Sequence, residues 1–182
     1  MKIVLDIGCG HDKITPRKSE KVIGIDIVKQ KGVDIVHNLE KKLPFKDNLI
    51  DRIYSNHTFE HVRDAKQLVE ECWRITKPGG EIFIRVPHYT SSGMYTDLTH
   101  KTFFSSQSLD FYIEGTYLST MSGYSSKIRF NNIRKNIVFH PPYKVIGLLV
   151  NINDTTRKIY EYLFCWIFPA KEIEFLLTPV KK

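Results

Sequence analysis

The sequence has few cysteines and no long apolar run. Its 182 residues include three cysteines, Cys9, Cys72 and Cys165. Their spacing matches neither a disulfide framework nor a metal motif, which predicts a reducing, cytoplasmic location. No uninterrupted apolar stretch reaches the ~20 residues that a membrane-spanning helix needs. Only three apolar residues separate Lys2 from Asp6, too few for a signal peptide. We therefore expect a globular domain without a membrane span.

A concentrated block of charge is also missing. The 27 basic and 20 acidic residues give a formal charge of +7. Residues 1–90 hold 16 basic and 13 acidic groups, and residues 91–182 hold 11 and 7. A surplus spread in this way indicates a solvated surface and makes nucleic acid an unexpected partner. The apolar share of 42% is enough for the core of a single domain over residues 1–182.

Short apolar runs alternate with turns in the first half of the chain. Strands are predicted at 2–7, 21–27, 33–36, 49–55 and 81–87. A helix is predicted over 64–76, because apolar residues recur there at helical spacing and Lys-Pro-Gly-Gly follows. This alternation predicts a parallel α/β sheet, whose ligands would lie outside the carboxyl ends of the strands.

The second half is less regular. It predicts a short helix over 106–113, a strand or hairpin over 127–139, a helix over 154–168 and a last strand over 172–180. The helix over 154–168 is apolar nearly all round in its later part. We expect it to cover the sheet or form a dimer, with a mobile lid or a membrane contact as alternatives.

The strongest chemical signal is a glycine turn. Asp6 and Ile7 precede Gly8-Cys9-Gly10, and Asp26 ends the next strand. Glycines let a ligand approach the backbone closely, and an acidic side chain at that second strand end can bind both hydroxyls of a ribose. The pairing predicts a nucleoside cofactor. A tight turn beside a surface aspartate is the alternative.

The turn differs from a dinucleotide fingerprint. Lys13 stands where the third glycine would be, and residues 11–20 include Pro16 and are too few for the usual crossover helix. A pyrophosphate would therefore lack its helix N-terminus. The carboxylate of Asp6 suits a cationic ligand better. S-adenosylmethionine carries an ammonium and a sulfonium, so the charges favour it over a nicotinamide dinucleotide.

Five motifs in order resemble the class I S-adenosylmethionine-dependent methyltransferases, in particular the small type 11-like group. They are DIGCG (6–10), GID (24–26), LPFKDNLID (43–51), NHTFEHV (56–62) and WRITKPGG (73–80). The resemblance covers residues 2–88. A second, weaker resemblance is to members associated with polysaccharide gene clusters. It rests on VPH (86–88) followed by DLTHK (97–101). In this chain Asp12 stands at the third glycine of the family's turn.

The resemblance implies a Rossmann-like fold with a mostly parallel seven-stranded sheet. Residues 1–88 would form the cofactor-binding core, and residues 89–182 the acceptor side with the apolar helix. Relative to the family, we expect a shortened N-terminus and reduced helices after the first two strands. One sheet face would then lack cover, which either segment 159–168 or a second subunit, in a homodimer, would supply.

The resemblance also implies roles for particular residues. Around the methionine end of the cofactor lie Asp6, Gly8, Cys9 and Gly10. The ribose and adenine contacts are Asp26, Ile27, Asn38 and Leu39. Beside the sulfonium lie Asn56 and His57.

Methyl transfer to a hydroxyl also needs a proton acceptor. The candidates are His57, His61, His88, Asp97 and His100, of which His88 and His100 follow the fifth strand and should face the acceptor. Six aromatic residues between 89 and 112 could line its pocket. The spacing of Asp97, His88 and His100 does not demand a metal, and none is predicted.

The sequence therefore predicts an S-adenosylmethionine-dependent methyltransferase that acts on a small molecule or a sugar, at an oxygen atom. A non-catalytic S-adenosylmethionine-binding module is one alternative. An RNA-modifying methyltransferase is another, favoured only by the pI of about 9.2. The tetrapeptide typical of enzymes that methylate base amines is absent after the fourth strand, where Ser55 to Thr58 stand.

Overall fold

Seven strands form one sheet in the computed structural model, which describes residues 1–113, 115–120 and 128–181, without the side chains of residues 132 and 133. Residues 114, 121–127 and 182 of the predicted single domain lie outside the described residues. The strands are β1 (Lys2–Ile7), β2 (Glu20–Asp26), β3 (Ile35–Val36), β4 (Ile50–Asn56), β5 (Thr76–Pro87), β6 (Arg129–Phe139) and β7 (Ala170–Val180).

The helices are short apart from two. They are α1 (Ala65–Ile75), α2 (Ser92–Thr96), α3 (Tyr117–Thr120), α4 (Lys144–Val150) and α5 (Asp154–Leu163). Single 3₁₀ turns lie at Phe59–His61 and Asp110–Tyr112. Within the described ranges, no helix has both the length and the apolar character that crossing a bilayer requires.

The strand order is β3-β2-β1-β4-β5-β7-β6. The first five strands are parallel to one another, and Val4 of β1 lies opposite Val22 of β2 and Arg52 of β4. Strand β7 runs antiparallel to both β5 and β6. The prediction of a mostly parallel seven-stranded sheet is confirmed. This order brings the carboxyl ends of β1, β2 and β4 to one edge.

The connections after β1 and β2 contain no helix, as predicted. Side chains hold them instead. The Asp34 carboxylate accepts a hydrogen bond from the Gly24 amide at 2.7 Å and one from Lys13 Nζ at 2.8 Å. These bonds tie both connections to the middle of β2, so the glycine turn has a fixed position without a helix behind it.

Helix α1 covers one face of the sheet. Asp64 caps it by accepting a hydrogen bond from the Gln67 amide at 2.9 Å, and Leu68, Cys72 and Ile75 point into the core. An aspartate cap typically stabilises a helix by about 1 kcal/mol. The helix predicted over 64–76 is confirmed to within one residue at each end.

The helix predicted over 106–113 is wrong in extent, because only the turn Asp110–Tyr112 is helical. Within this segment the Ser105 amide donates a hydrogen bond to the Ser108 side chain, at 2.8 Å from Oγ. Such local side-chain bonds compete with helix formation. The strand predicted over 127–139 is observed from Arg129, and residue 127 lies outside the described residues.

Segment 159–168 does not cover the bare sheet face, so that expectation is wrong. Helix α5 packs on the face that α1 already covers, where Arg157 Nη1 donates to the Lys135 carbonyl and the ring of Tyr160 meets that of Phe139 at 5.2 Å. The helix also ends at Leu163, five residues before the predicted end. The residue directly before Pro169 is disfavoured in helical conformation, and residues 164–167 form a turn.

The sheet face opposite α1 and α5 carries polar and partly exposed groups, so it needs less cover by other elements than an apolar face would. The rings of Tyr54 and Phe83 stack on it at 5.2 Å, and the Arg85 guanidinium lies 5.6 Å from the Phe83 centroid. Arg85 Nε donates to Glu174 at 2.9 Å. Partly exposed aromatic and ion pairs of this kind are compatible with water.

Candidate functional site

The turn after β1 depends on its first glycine. Gly8 has φ +67°, and a Cβ there would lie 2.1 Å from Thr58 Oγ1. Thr58 in turn donates from Oγ1 to the Ile7 carbonyl at 3.1 Å. The backbone at the end of β1 therefore touches the loop after β4 directly, and a side chain would force them apart.

Asp26 ties the same turn to the end of β2. Its Oδ2 accepts a hydrogen bond from the Gly10 amide at 2.9 Å, and its Oδ1 accepts one from the Val28 amide at 3.0 Å. Each carboxylate oxygen can accept two bonds. The remaining lone pairs are therefore available for two hydroxyl donors.

Two cavities meet at Gly8. The larger, the β2-side cavity, has a volume of about 350 Å³. Its lining includes the predicted residues Gly8, Asp26, Ile27, Asn38, Leu39 and His57. The smaller, the β1-side cavity, has a volume of about 250 Å³. Its lining includes the predicted residues Asp6, Gly8, Cys9 and Asn56. Gly10, the remaining predicted cofactor residue, contacts the site through Asp26.

Asp6 gives the β1-side cavity an unusual carboxyl group. The residue is 3% exposed, and its Oδ2 accepts a hydrogen bond from the Ile14 amide at 2.8 Å. Burial raises the pKa of Asp6 to about 6. A cation bound in this cavity would favour the ionised carboxylate.

His57 lies between two carboxylates. Its Nδ1 is 3.1 Å from Glu60 Oε1, and its Nε2 is 3.2 Å from Glu172 Oε1. The hydrogen bond to Glu60 raises the pKa of His57 despite burial. Both ring nitrogens donate in the protonated ring. Because carboxylates engage both ring nitrogens of His57, it is poorly placed to accept a proton from a methyl acceptor.

His88 does not reach the cavities' surface. It is 0% exposed, its Nδ1 accepts a hydrogen bond from the Thr90 amide at 3.2 Å, and its Nε2 lies 3.2 Å from Glu161 Oε1. The same carboxylate accepts from the Ser106 amide at 2.6 Å. This buried network joins the end of β5 to α5 and leaves His88 no open face toward an acceptor.

His100 and Asp97 lie beside the β2-side cavity. The ring of His100 meets that of His61, which lines the cavity, with centroids 4.6 Å apart. His100 Nε2 is 4.0 Å from Asp97 Oδ2. The structure thus brings these two predicted residues together but separates them from the buried His88. Sequence reasoning missed Glu172, which lies 115 residues from its partner His57.

The six predicted aromatic residues line two further cavities, and Phe103 and Phe104 line both. One, of about 410 Å³, lies between α1 and residues 102–112 and is lined by Phe103, Phe104, Phe111 and Tyr112. The other, of about 330 Å³, is lined by Tyr89, Tyr95, Phe103, Phe104 and Trp166. Apolar cavities of this kind suit the carbon skeleton of a small molecule.

Comparison with known proteins shows which family the sequence resembles. Residues 5–84 match the family model described as a methyltransferase domain. The chain contains a class I S-adenosylmethionine-dependent methyltransferase domain. It is 30% identical over 97 residues to a probable S-adenosylmethionine-dependent methyltransferase of Mycolicibacterium smegmatis, covering 47% of this chain and 38% of that protein. It is 33% identical over 86 residues to malonyl-[acyl-carrier protein] O-methyltransferase 1 of Coxiella burnetii, covering 42% and 30%.

This methyltransferase domain also resembles solved structures over nearly its whole length. A methyltransferase from Archaeoglobus fulgidus has a TM-score of 0.63 at 19% identity, covering 97% of this chain and 86% of that one. Phosphoethanolamine N-methyltransferase 2 of Haemonchus contortus has a TM-score of 0.62 at 15% identity, covering 99% and 49%. These likenesses show that the second half also belongs to the methyltransferase fold. The chain spans less than half of the length of the curated relatives cited above.

Proposed function

We propose that this protein transfers a methyl group from S-adenosylmethionine to an oxygen atom of a small molecule or a sugar. The observation that carries this proposal is the pair of cavities meeting at Gly8, one containing the buried Asp6 carboxyl group and the other the Asp26 carboxylate. When bound, the donor supplies a methyl group on a sulfonium. Relatives named as O-methyltransferases support the choice of oxygen.

The two carboxyl groups would each bind a different part of the donor. Asp6 in the β1-side cavity would pair with the ammonium, with Cys9 and Asn56 beside it. Asp26 in the β2-side cavity would accept the ribose hydroxyls, and Ile27, Asn38 and Leu39 would surround the adenine. Both cavities open at the same glycine, so one elongated ligand can occupy both.

The acceptor side is proposed to lie at His100 and Asp97. His57 has both nitrogens engaged and His88 is fully buried, whereas His100 and Asp97 flank the wall of the β2-side cavity. Aligning donor and acceptor can contribute about 7–11 kcal/mol to lowering a bimolecular barrier. The aromatic cavities next to this wall would accommodate the apolar part of an acceptor.

Substitution of Asp26 tests the donor site. Asp26→Ala removes the acceptor for two hydroxyl bonds, so we expect S-adenosylmethionine to bind about 5- to 150-fold more weakly, a loss of about 1–3 kcal/mol, by isothermal titration calorimetry. Asp47→Ala is the matched control, because Asp47 pairs with Arg74 at an exposed position outside both cavities. Equal affinities of the two variants would place the donor elsewhere.

Product analysis separates catalysis from mere binding. A panel of hydroxylated small molecules and sugars, incubated with the donor, should yield S-adenosylhomocysteine. Tight donor binding with no product on any acceptor would favour the non-catalytic module.

The homodimer stays a prediction. The exposed apolar side chains of Leu148, Tyr162 and Trp166 form the surface to test, by sedimentation of the wild type against Leu148→Glu.

A further inference from the structure

Three side chains from two separate loops converge beside the β2-side cavity. Glu60 and His61 belong to the 3₁₀ turn after β4, and His100 belongs to the loop after α2. One ligand atom from each lies within 4.8 Å of the other two. We propose that Glu60, His61 and His100 form a binding site for a divalent transition-metal ion.

Glu60 contributes a buried oxygen with no partner. Its side chain is 0% exposed, and its Oε1 is bonded to His57, yet its Oε2 has no hydrogen-bond donor among the described residues. Leaving a buried acceptor unsatisfied costs about 1–3 kcal/mol, and more for a charged group. A cation at Oε2 would remove this cost.

Hydrogen bonds orient both imidazoles through Nδ1, and among the described residues neither Nε2 makes a hydrogen bond, although Asp97 Oδ2 lies 4.0 Å from His100 Nε2. His100 Nδ1 faces the Met94 carbonyl at 2.9 Å, and must donate to it because a carbonyl only accepts. Thr99 donates its hydroxyl proton to Asp97 at 2.7 Å, so it accepts from His61 Nδ1 at 2.8 Å. Both Nε2 atoms therefore carry a lone pair when the rings are neutral.

This arrangement resembles the outer shell of known metal sites. A ligating histidine donates its second N–H to a carbonyl or an oxygen acceptor, which fixes the ring for coordination. Here Met94 and Thr99 supply those acceptors, and Asp97 orients Thr99. Asp97 thus acts through Thr99, as a positioning residue for the proposed site.

Two imidazoles and one carboxylate are a ligand set that suits Zn²⁺ and Fe²⁺. Bonds to zinc of about 2.0–2.2 Å would draw the three donor atoms closer by rotation of the side chains. Such a site leaves coordination positions open. His61 also lines the β2-side cavity, which the proposed function assigns to the ribose and adenine of the donor, so a bound ion would lie beside the bound donor. That placement rests on the proposed function, whereas ion binding does not.

Titration with Zn²⁺ and Co²⁺, without any methyl donor, tests the site. We expect the full chain to bind one ion and Co²⁺ to show visible absorption bands typical of nitrogen and oxygen ligands. His100→Gln and His61→Gln should each weaken binding by about 100-fold or more, since changes even in outer-shell partners cost about 10- to 100-fold. His140→Ala, an exposed histidine outside the cluster, is the matched control and should bind like the wild type.

Three results would overturn the proposal. They are no binding at micromolar ion, equal binding by the control and by both glutamine variants, or a sulfur-to-cobalt absorption band that places the ion at a cysteine. Circular dichroism shows whether each variant is folded, and Glu60→Gln, which keeps the size of the side chain, replaces any that is not. None of these outcomes depends on donor binding, so the Asp26 test stands or falls separately.

Discussion

The first 88 residues and the later described residues stabilise their polar groups in different ways. In the first part, groups that line the cavities follow buried strands and are held by the backbone, as where the Gly10 amide binds Asp26. In the later part, buried charged side chains hold loops and helices together, as where Lys135 binds Asp110. The polar groups of the first part are therefore held mainly by main-chain geometry, and those of the later part by pairs of side chains.

Burial has opposite consequences in the two parts. Asp6 has no cation of its own within hydrogen-bond reach among the described residues, and burial raises its pKa to about 6. Glu161, buried to a similar extent, accepts hydrogen bonds from Ser106 and His88, and its pKa is lowered although burial opposes this. Under the proposed function, the first group would gain its partner from the ligand, whereas the second already has its partners within the protein.

The largest expected effect comes from removing a buried cation of the later part. Lys135→Met leaves the Asp110 carboxylate buried without its partner, so the free energy of unfolding should fall by about 3–5 kcal/mol in urea denaturation. The double variant Lys135→Met/Asp110→Leu should recover most of this loss. Donor affinity of the folded variant should not change. A loss below about 1 kcal/mol would show that the later part does not depend on this pair.

A somewhat smaller effect is expected at the glycine turn. Gly8→Ala adds a Cβ 2.1 Å from Thr58 Oγ1 at φ +67°, so stability should fall by about 2–4 kcal/mol and donor binding should be lost in calorimetry. Gly79→Ala is the control, since Gly79 has φ +71° with no atom within 4 Å of the added Cβ. It should cost about 1–2 kcal/mol and leave binding intact. Similar effects at both positions would contradict a special role for the turn.

The smallest effect concerns the pH dependence at Asp6. Its folded pKa of about 6 is above the ordinary 3.8, so the folded state holds this proton more tightly, and the associated stability, present at low pH, is lost as pH rises toward 6. Binding of a cationic donor has the opposite trend, because it needs the ionised carboxylate. Affinity should therefore fall up to about tenfold per unit below pH 6.

Asp6→Asn provides the comparison for that pH series. The variant should bind the donor more weakly at pH 7 and lose the steep dependence below pH 6. Parallel affinity curves for wild type and variant would mean that Asp6 does not face the ammonium, and that the first part lacks a group held ready for a cation.

Much of the structure of the first 88 residues was predictable from the sequence. Strands β1, β2 and β4 follow from short apolar runs, and their polar ends, including Asp6 and Asp26, meet at one edge because the strands are parallel. Helix α1 follows from its spacing and its Asp64 cap. These features depend on residues close together in the chain. The structure of the later part was predicted less well, with α5 shorter than expected and α4 missed.

The sequence by itself determined the sheet, the glycine turn and the acidic strand ends, because local periodicity and backbone conformation are encoded within a few residues. Only the tertiary structure decided which histidines are accessible. His88 is buried and contacts Glu161, 73 residues away, and both ring nitrogens of His57 are engaged, one of them by Glu172, 115 residues away. Desolvation and pairing of a titratable group depend on whatever packs against it in space, and no local pattern records those partners.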